Sequence, residues 1–151
     1  MKLLTLITTL LFVGHLGNAQ SKVMKKLAEV YPDATTFIIY HSNLTMLNQA
    51  DDPELAELAA TIDKIKVLTI PNFTKEAKKQ LVSDLEAHDF EALMTVKHEG
   101  ADVLVYINGD DDDIEGYFLL VQSEEGTMAI DVLGSPSAKQ IGKIIDTVKN
   151  N

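Results

Sequence analysis

Behind Asp51-Asp52-Pro53, the apolar residues Leu55, Leu58, Ala59 and Ile62 fall at i, i+3, i+4 and i+7. That spacing is the stripe of an amphipathic helix, and an acidic cap with Pro in the first turn marks its start. The stripe returns at Ile141, Ile144, Ile145 and Val148, after the break Gly134-Ser135-Pro136, and predicts a C-terminal helix. Val23, Leu27 and Val30 predict a short first helix over Lys22 to Tyr31, closed by Pro32, which cannot continue it. Ala77, Leu81 and Leu85 predict a longer one from about Thr74 to Ala87, its packing finished by Phe90 and Leu93. Between these helices, Thr35 to His41 and Lys64 to Ile70 are β-branched, aromatic or apolar at nearly every position and read as strands. Ser42 to Asp52, around Leu44, Met46 and Leu47, reads as a loop or irregular helix.

The period changes in the C-terminal half. Two β-rich runs in MTVKHEGADVLVYING meet at Glu99-Gly100, and a second pair, Ile114 to Val121 and Thr127 to Leu133, meets across Ser123-Glu124-Glu125-Gly126. Both read as hairpins with a Gly available for positive φ. The resulting order is α-β-α-β-α-β-β-β-β-α, with room for one crossover unit in the first half and an antiparallel meander in the second. This predicts an α+β fold: a single-domain layered sandwich over residues 20–151, with helices packed on a largely antiparallel sheet of about six strands.

Val103 to Ile107 and Tyr117 to Val121 are apolar on both faces, where a sheet with one wet face would alternate. Either the first helix and the segment carrying Met46 cover the second face within the monomer, or part of that face is an interface. Tyr106, Phe118 and Leu120 are the candidates for the second case.

The N-terminus has its own pattern. Met1-Lys2, an apolar run of 11 residues from Leu3 to Val13, and a small and polar stretch ending in Gly17-Asn18-Ala19 make a secretory signal peptide over residues 1–19, cleaved between Ala19 and Gln20. The run is too short to span a bilayer as a helix, which takes about 20 apolar residues. The expected product is periplasmic or secreted, with no transmembrane segment after cleavage.

Several of these segments together resemble a known family. Ile65 and Val67-Leu68 in a strand, Phe90-Glu91-Ala92-Leu93-Met94 before the first hairpin, Gly100 at its turn, and Phe118-Leu119-Leu120-Val121 in the later one are similar to the domain of unknown function 4252, a family of exported proteins found chiefly in Bacteroidetes. The resemblance covers nearly all of the chain after the leader. It implies export and fold, and it brings no mechanism with it.

Charge narrows the partners. The chain has 151 residues, 23 acidic against 13 basic, and a net charge of -10. Every basic residue is Lys, so the guanidinium forks suited to phosphate and base edges are missing, and nucleic acid is not an expected partner.

The templates for chemistry fail one by one. There is no Cys, hence no disulfide and no thiol nucleophile, and neither GxSxG, HExxH nor a phosphate-binding Gly loop occurs. His41, His88 and His98 lie in three different segments. Asp110, Asp112 and Asp113 belong to a four-acid run that suits a hard cation by composition. The Gly of a calcium loop is missing at the sixth position, however, which is Asp113 counted from Asn108 and Glu115 counted from Asp110, so a solvated hairpin connection is the simpler expectation. No catalytic residue and no cofactor is assigned. The expectation is an exported, non-enzymatic module that binds an envelope protein or itself; the alternative is a periplasmic hydrolase using carboxylates or a metal.

Overall fold

The computed structural model describes residues 21–48, 51–98, 100–110 and 112–149. The expected leader and its cleavage pair Ala19-Gln20 lie outside the described residues. In chain order the elements are α1 (Lys22–Val30), β1 (Thr35–Tyr40), α2 (His41–Leu47), α3 (Pro53–Thr61), β2 (Ile62–Ile70), α4 (Lys75–Ala87), β3 (Phe90–His98), β4 (Ala101–Asp110), β5 (Asp113–Ser123), β6 (Gly126–Gly134) and α5 (Ala138–Lys149). The six strands form one sheet in the order β1-β2-β6-β5-β4-β3, and every neighbouring pair is antiparallel. This is the expected α+β sandwich.

Strand alternation divides the apolar residues between two faces. In β5, Tyr117, Leu119 and Val121 join one cluster while Phe118 and Leu120 join the other. Leu44 of α2, Ala59 of α3, and Ile141 and Ile145 of α5 close the first face. Val23, Met24 and Leu27 of α1, with Leu81 and Leu85 of α4, close the second. The double-sided apolar strands are therefore covered within the monomer, with helices on both sides of the sheet.

Local chemistry sets the boundaries. Asp52 caps α3, its side chain accepting from the Glu54 amide with Pro53 in the first turn, and Thr74 caps α4 through the Ala77 amide at 3.1 Å. Gly100, at φ +83, makes the β3–β4 turn where a Cβ would be strained. The Tyr117 hydroxyl, buried in the first cluster, donates to the Pro136 carbonyl at 2.7 Å and anchors the segment that enters α5.

Several expectations shift. The segment after β1 is a regular helix, with Leu44 buried and Met46 pointing outward. Ile62, which completes the stripe of α3, is the buried first residue of β2 instead. Phe90, the first residue of β3, packs with Leu81 and Leu85 of α4 as expected, but Leu93 in the same strand is exposed and takes no part in that packing. The crossover is wider than a unit of neighbouring strands. β2 and β3 run in the same direction at the two ends of a span of four strand spacings, and α4 carries the chain between them across the face shared with α1.

Candidate functional site

Two places on the molecule have the character of a site. The first is a cleft of about 610 Å³ where the start of α1 and the end of α4 meet the sheet. Phe90, Asn108, Gly116 and Leu133 form one row across β3, β4, β5 and β6 at this end. Gly116 is required there, because a Cβ would stand 2.5 Å from the Val132 carbonyl oxygen of the next strand. Asp131 lies on the α1 side of β6 among Phe118 and Ala129, and is buried. Ser21 meets it from the helix: its amide and its hydroxyl both donate to Asp131 Oδ2, at 3.0 and 2.9 Å, while Ser21 Oγ accepts from the Met24 amide at 3.1 Å. Burial pushes the Asp131 carboxyl above the usual carboxylate range, and the two bonds from Ser21 with the nearby charges of Lys64 and Lys66 offset this only in part.

His88, at the C-cap of α4, lines the same cleft. Its Nδ1 lies 2.8 Å from the Asp84 carbonyl oxygen; a carbonyl only accepts, so Nδ1 is the donor of this bond. Asp89 and Glu115 stand exposed at the rim. Yet the buried acid of the cleft, Asp131, is engaged by Ser21, and the Ser21 hydroxyl is committed at both donor and acceptor. Among the described residues, no group of three or more His, Asp or Glu is arranged to hold a metal ion. The cleft reads as the seam that fixes α1 to the sheet.

The second place is the edge of the sheet formed by β1. Phe37 is 60% exposed, Tyr40 54% and Ile38 37%. On one face Thr35, Phe37 and Ile39 oppose Thr69, Val67 and Ile65; on the other, Ile38 and Tyr40 oppose Lys66 and Lys64. The register from Thr35 to Tyr40 runs without a bulge, and the strand carries no charge. The opposite edge differs on both counts. β3 is broken by a bulge between Ala92 and Met94 and exposes Glu91 and Lys97. Bulges and charges are the devices that protect free edges from pairing, and β1 has neither.

The residues singled out from the sequence fall elsewhere. Tyr106, Phe118 and Leu120, expected as interface candidates, are buried beneath α1 and α4 and offer no surface to a partner. Asp110 and Asp113 face each other as the last register pair of the β4–β5 hairpin, and both are exposed along with Asp112. His41 donates from Nδ1 to the Ile62 carbonyl at 3.0 Å, far from His88 in the fold's order of strands. Sequence reasoning passed over Asp131 and the edge. A lone acid inside the apolar run MAIDVL, and a strand uncharged and apolar on both faces, TTFIIY, were the available signals.

Comparison with known proteins places the chain. A family model described as a domain of unknown function (DUF4252) matches residues 30–144, which span all six strands. No curated protein and no solved structure matches it.

Proposed function

The chain belongs to this domain of unknown function family, and from that premise we propose that it is an exported binding module whose contact surface is the free edge of β1. The observation that carries the reading is the unprotected edge itself: six uncharged residues in unbroken register, with Phe37, Ile38 and Tyr40 turned to solvent. A strand in that state presents a row of unpaired amides and carbonyls ready to accept another strand, and the exposed side chains on either face add apolar contact. Export follows from the Lys2 charge, the Leu3–Val13 run and the small residues before Gln20. The partner is then an envelope protein or a second copy of the chain. Among the described residues no helix is long and apolar enough to cross a membrane.

Affinity capture from the native envelope after mild crosslinking tests the reading. Wild-type and Phe37→Lys baits are compared, since a charge at a position already exposed blocks the edge without disturbing the core. A near-stoichiometric protein, another polypeptide or the untagged chain itself, that is present with the first bait and absent with the second supports the reading. Identical recoveries from both refute it. Mass determination of the recovered chain tests export directly, the expected product beginning at Gln20.

A further inference from the structure

We infer that the cleft beside Asp131 receives the chain's own new N-terminus, the α-ammonium of Gln20 docking against the Asp131 carboxylate once the leader has been removed. This rests on the reading of an exported chain cleaved between Ala19 and Gln20.

Covalent geometry selects the occupant. Three bonds, about 4 Å end to end, separate the α-nitrogen of residue 20 from the Ser21 nitrogen, and the Ser21 amide stands 3.0 Å from Asp131 Oδ2. Whatever conformation residue 20 takes, its nitrogen is held within about 7 Å of that oxygen. In the leader-bearing chain this nitrogen belongs to a neutral peptide amide. Cleavage turns it into a primary ammonium, charged at neutral pH for the most part.

The cleft has what an ammonium needs. Asp131 is 8% exposed, and Ser21 takes up only its Oδ2; among the described residues no donor bonds Oδ1. A buried carboxylate oxygen left without a donor is costly, and a hydrogen-bonded cation is the group that relieves it best. Asp89 and Glu115 at the rim add negative charge against Lys22, and His88 is tied through Nδ1 to the Asp84 carbonyl. From β2, Lys64 and Lys66 act on Asp131 through charge alone. Together with the bonds from Ser21 they offset its burial only in part, and the new ammonium adds to that offset from the open side of the cleft. Removing the leader therefore tightens the seam between α1 and the sheet.

Two purified chains test this, one beginning at Gln20 and one retaining Gly17-Asn18-Ala19, which carries its ammonium three residues farther away. Mass determination checks beforehand that the Gln20 amine has not closed onto its own side-chain amide with loss of ammonia. The chain beginning at Gln20 should unfold at the higher urea concentration. In an NMR titration its α-amine should hold a proton about tenfold more tightly than that of the longer chain. Asp131→Asn keeps an acceptor for Ser21 and removes the charge, so both differences should vanish in it, with circular dichroism checking that the variant is folded. Equal urea midpoints or equal amine affinities in the two unsubstituted chains overturn the inference without reference to that variant, and so do differences that survive Asp131→Asn. Those outcomes leave export and the β1 edge untouched. The cleavage reading fails instead if the chain recovered from the envelope begins elsewhere than at Gln20, and the docked terminus falls with it.

Discussion

Ser21 and Asp131 are 110 residues apart in the chain and joined twice in the fold, the amide and the hydroxyl of the first both donating to one carboxylate oxygen of the second. The same hydroxyl caps α1 by accepting from the Met24 amide. One side chain thus closes the helix end and pins the helix to β6. Ser21→Ala removes a cap worth about 1 kcal/mol and one of two donors to a buried carboxylate, worth about another 1 kcal/mol. The expected loss is about 2 kcal/mol in urea unfolding, with Ser21→Thr close to wild type. An Ala variant as stable as wild type would show that the contact is incidental.

Asp131 sets a pH dependence whose sign runs against the usual carboxylate behaviour. Its native pKa is raised above the ordinary 3.8 by burial, so the folded protein holds this proton more tightly than the unfolded chain does. Between 3.8 and the raised value, stability from this group falls as pH rises; above the raised value the penalty is complete and constant. Asp131→Asn keeps an oxygen to accept from Ser21 and cannot titrate. The difference in unfolding free energy between wild type and Asp131→Asn should therefore grow in favour of wild type as pH drops from neutral toward the ordinary carboxylate range. A difference curve flat with pH would contradict this.

How much of this was legible beforehand follows from which signals are local. Helix stripes, Pro stops and the two Gly turns depend on neighbours in sequence, and they delivered the α+β class, the antiparallel meander and α3, α4 and α5 within a few residues. Ile62 shows where the stripe misleads, because its apolar side chain satisfies a helix face and a strand face equally. The site was harder. Whether Phe118 is core or interface depends on whether α1 and α4 lie over it, and nothing in YFLLV records that. The status of β1 as an edge is likewise a property of strand order: TTFIIY has the composition of a central strand, and only the placement of β1 outside β2 exposes it. The pairing of Ser21 with Asp131 joins residues 110 apart in the chain, which no spacing rule reaches.

Lys26 and Asp84 form the second tie between α1 and the rest, Lys26 Nζ lying 2.8 Å from both carboxylate oxygens while Gln80 donates to one of them at 3.1 Å. Partial burial alone would raise the Asp84 carboxyl, but the bonds from Lys26 and Gln80 and the charges of Lys26 and His88 together outweigh it, and the pKa is lowered. Its contribution is present above the ordinary 3.8 and lost as pH falls through the lowered value, opposite to Asp131. Lys26 is half exposed, so solvent screens the pair. Lys26→Ala should cost less than about 1 kcal/mol, and 1 M salt should reduce that cost further. A loss above 2 kcal/mol that salt leaves unchanged would mean that the Lys26 stem packs in the α1–α4 seam and that the charge is secondary.

Gly116 should be the least replaceable residue of the cleft. It sits in β5 opposite Leu133, two rows from Asp131, and its missing side chain lets β6 pass so near that an added Cβ would lie 2.5 Å from the Val132 carbonyl oxygen. The obstructing atom is backbone inside the central pair of the sheet, so no rotamer change relieves the clash; either β6 moves and its ladder with β2 and β5 is disturbed, or the sheet opens at this end. Gly116→Ala is expected to cost at least about 3 kcal/mol, at the upper end of overpacking penalties, read as a lowered unfolding midpoint or loss of soluble protein. The Gly126→Ala variant separates this contact from the general effect of removing a glycine. Its Cβ meets nothing within 4 Å, and only the positive φ of +146 opposes it. Equal losses at the two positions would place the cost in backbone conformation; a larger loss at Gly116, whose φ needs no glycine, assigns it to the close approach of β5 and β6 that shapes the cleft.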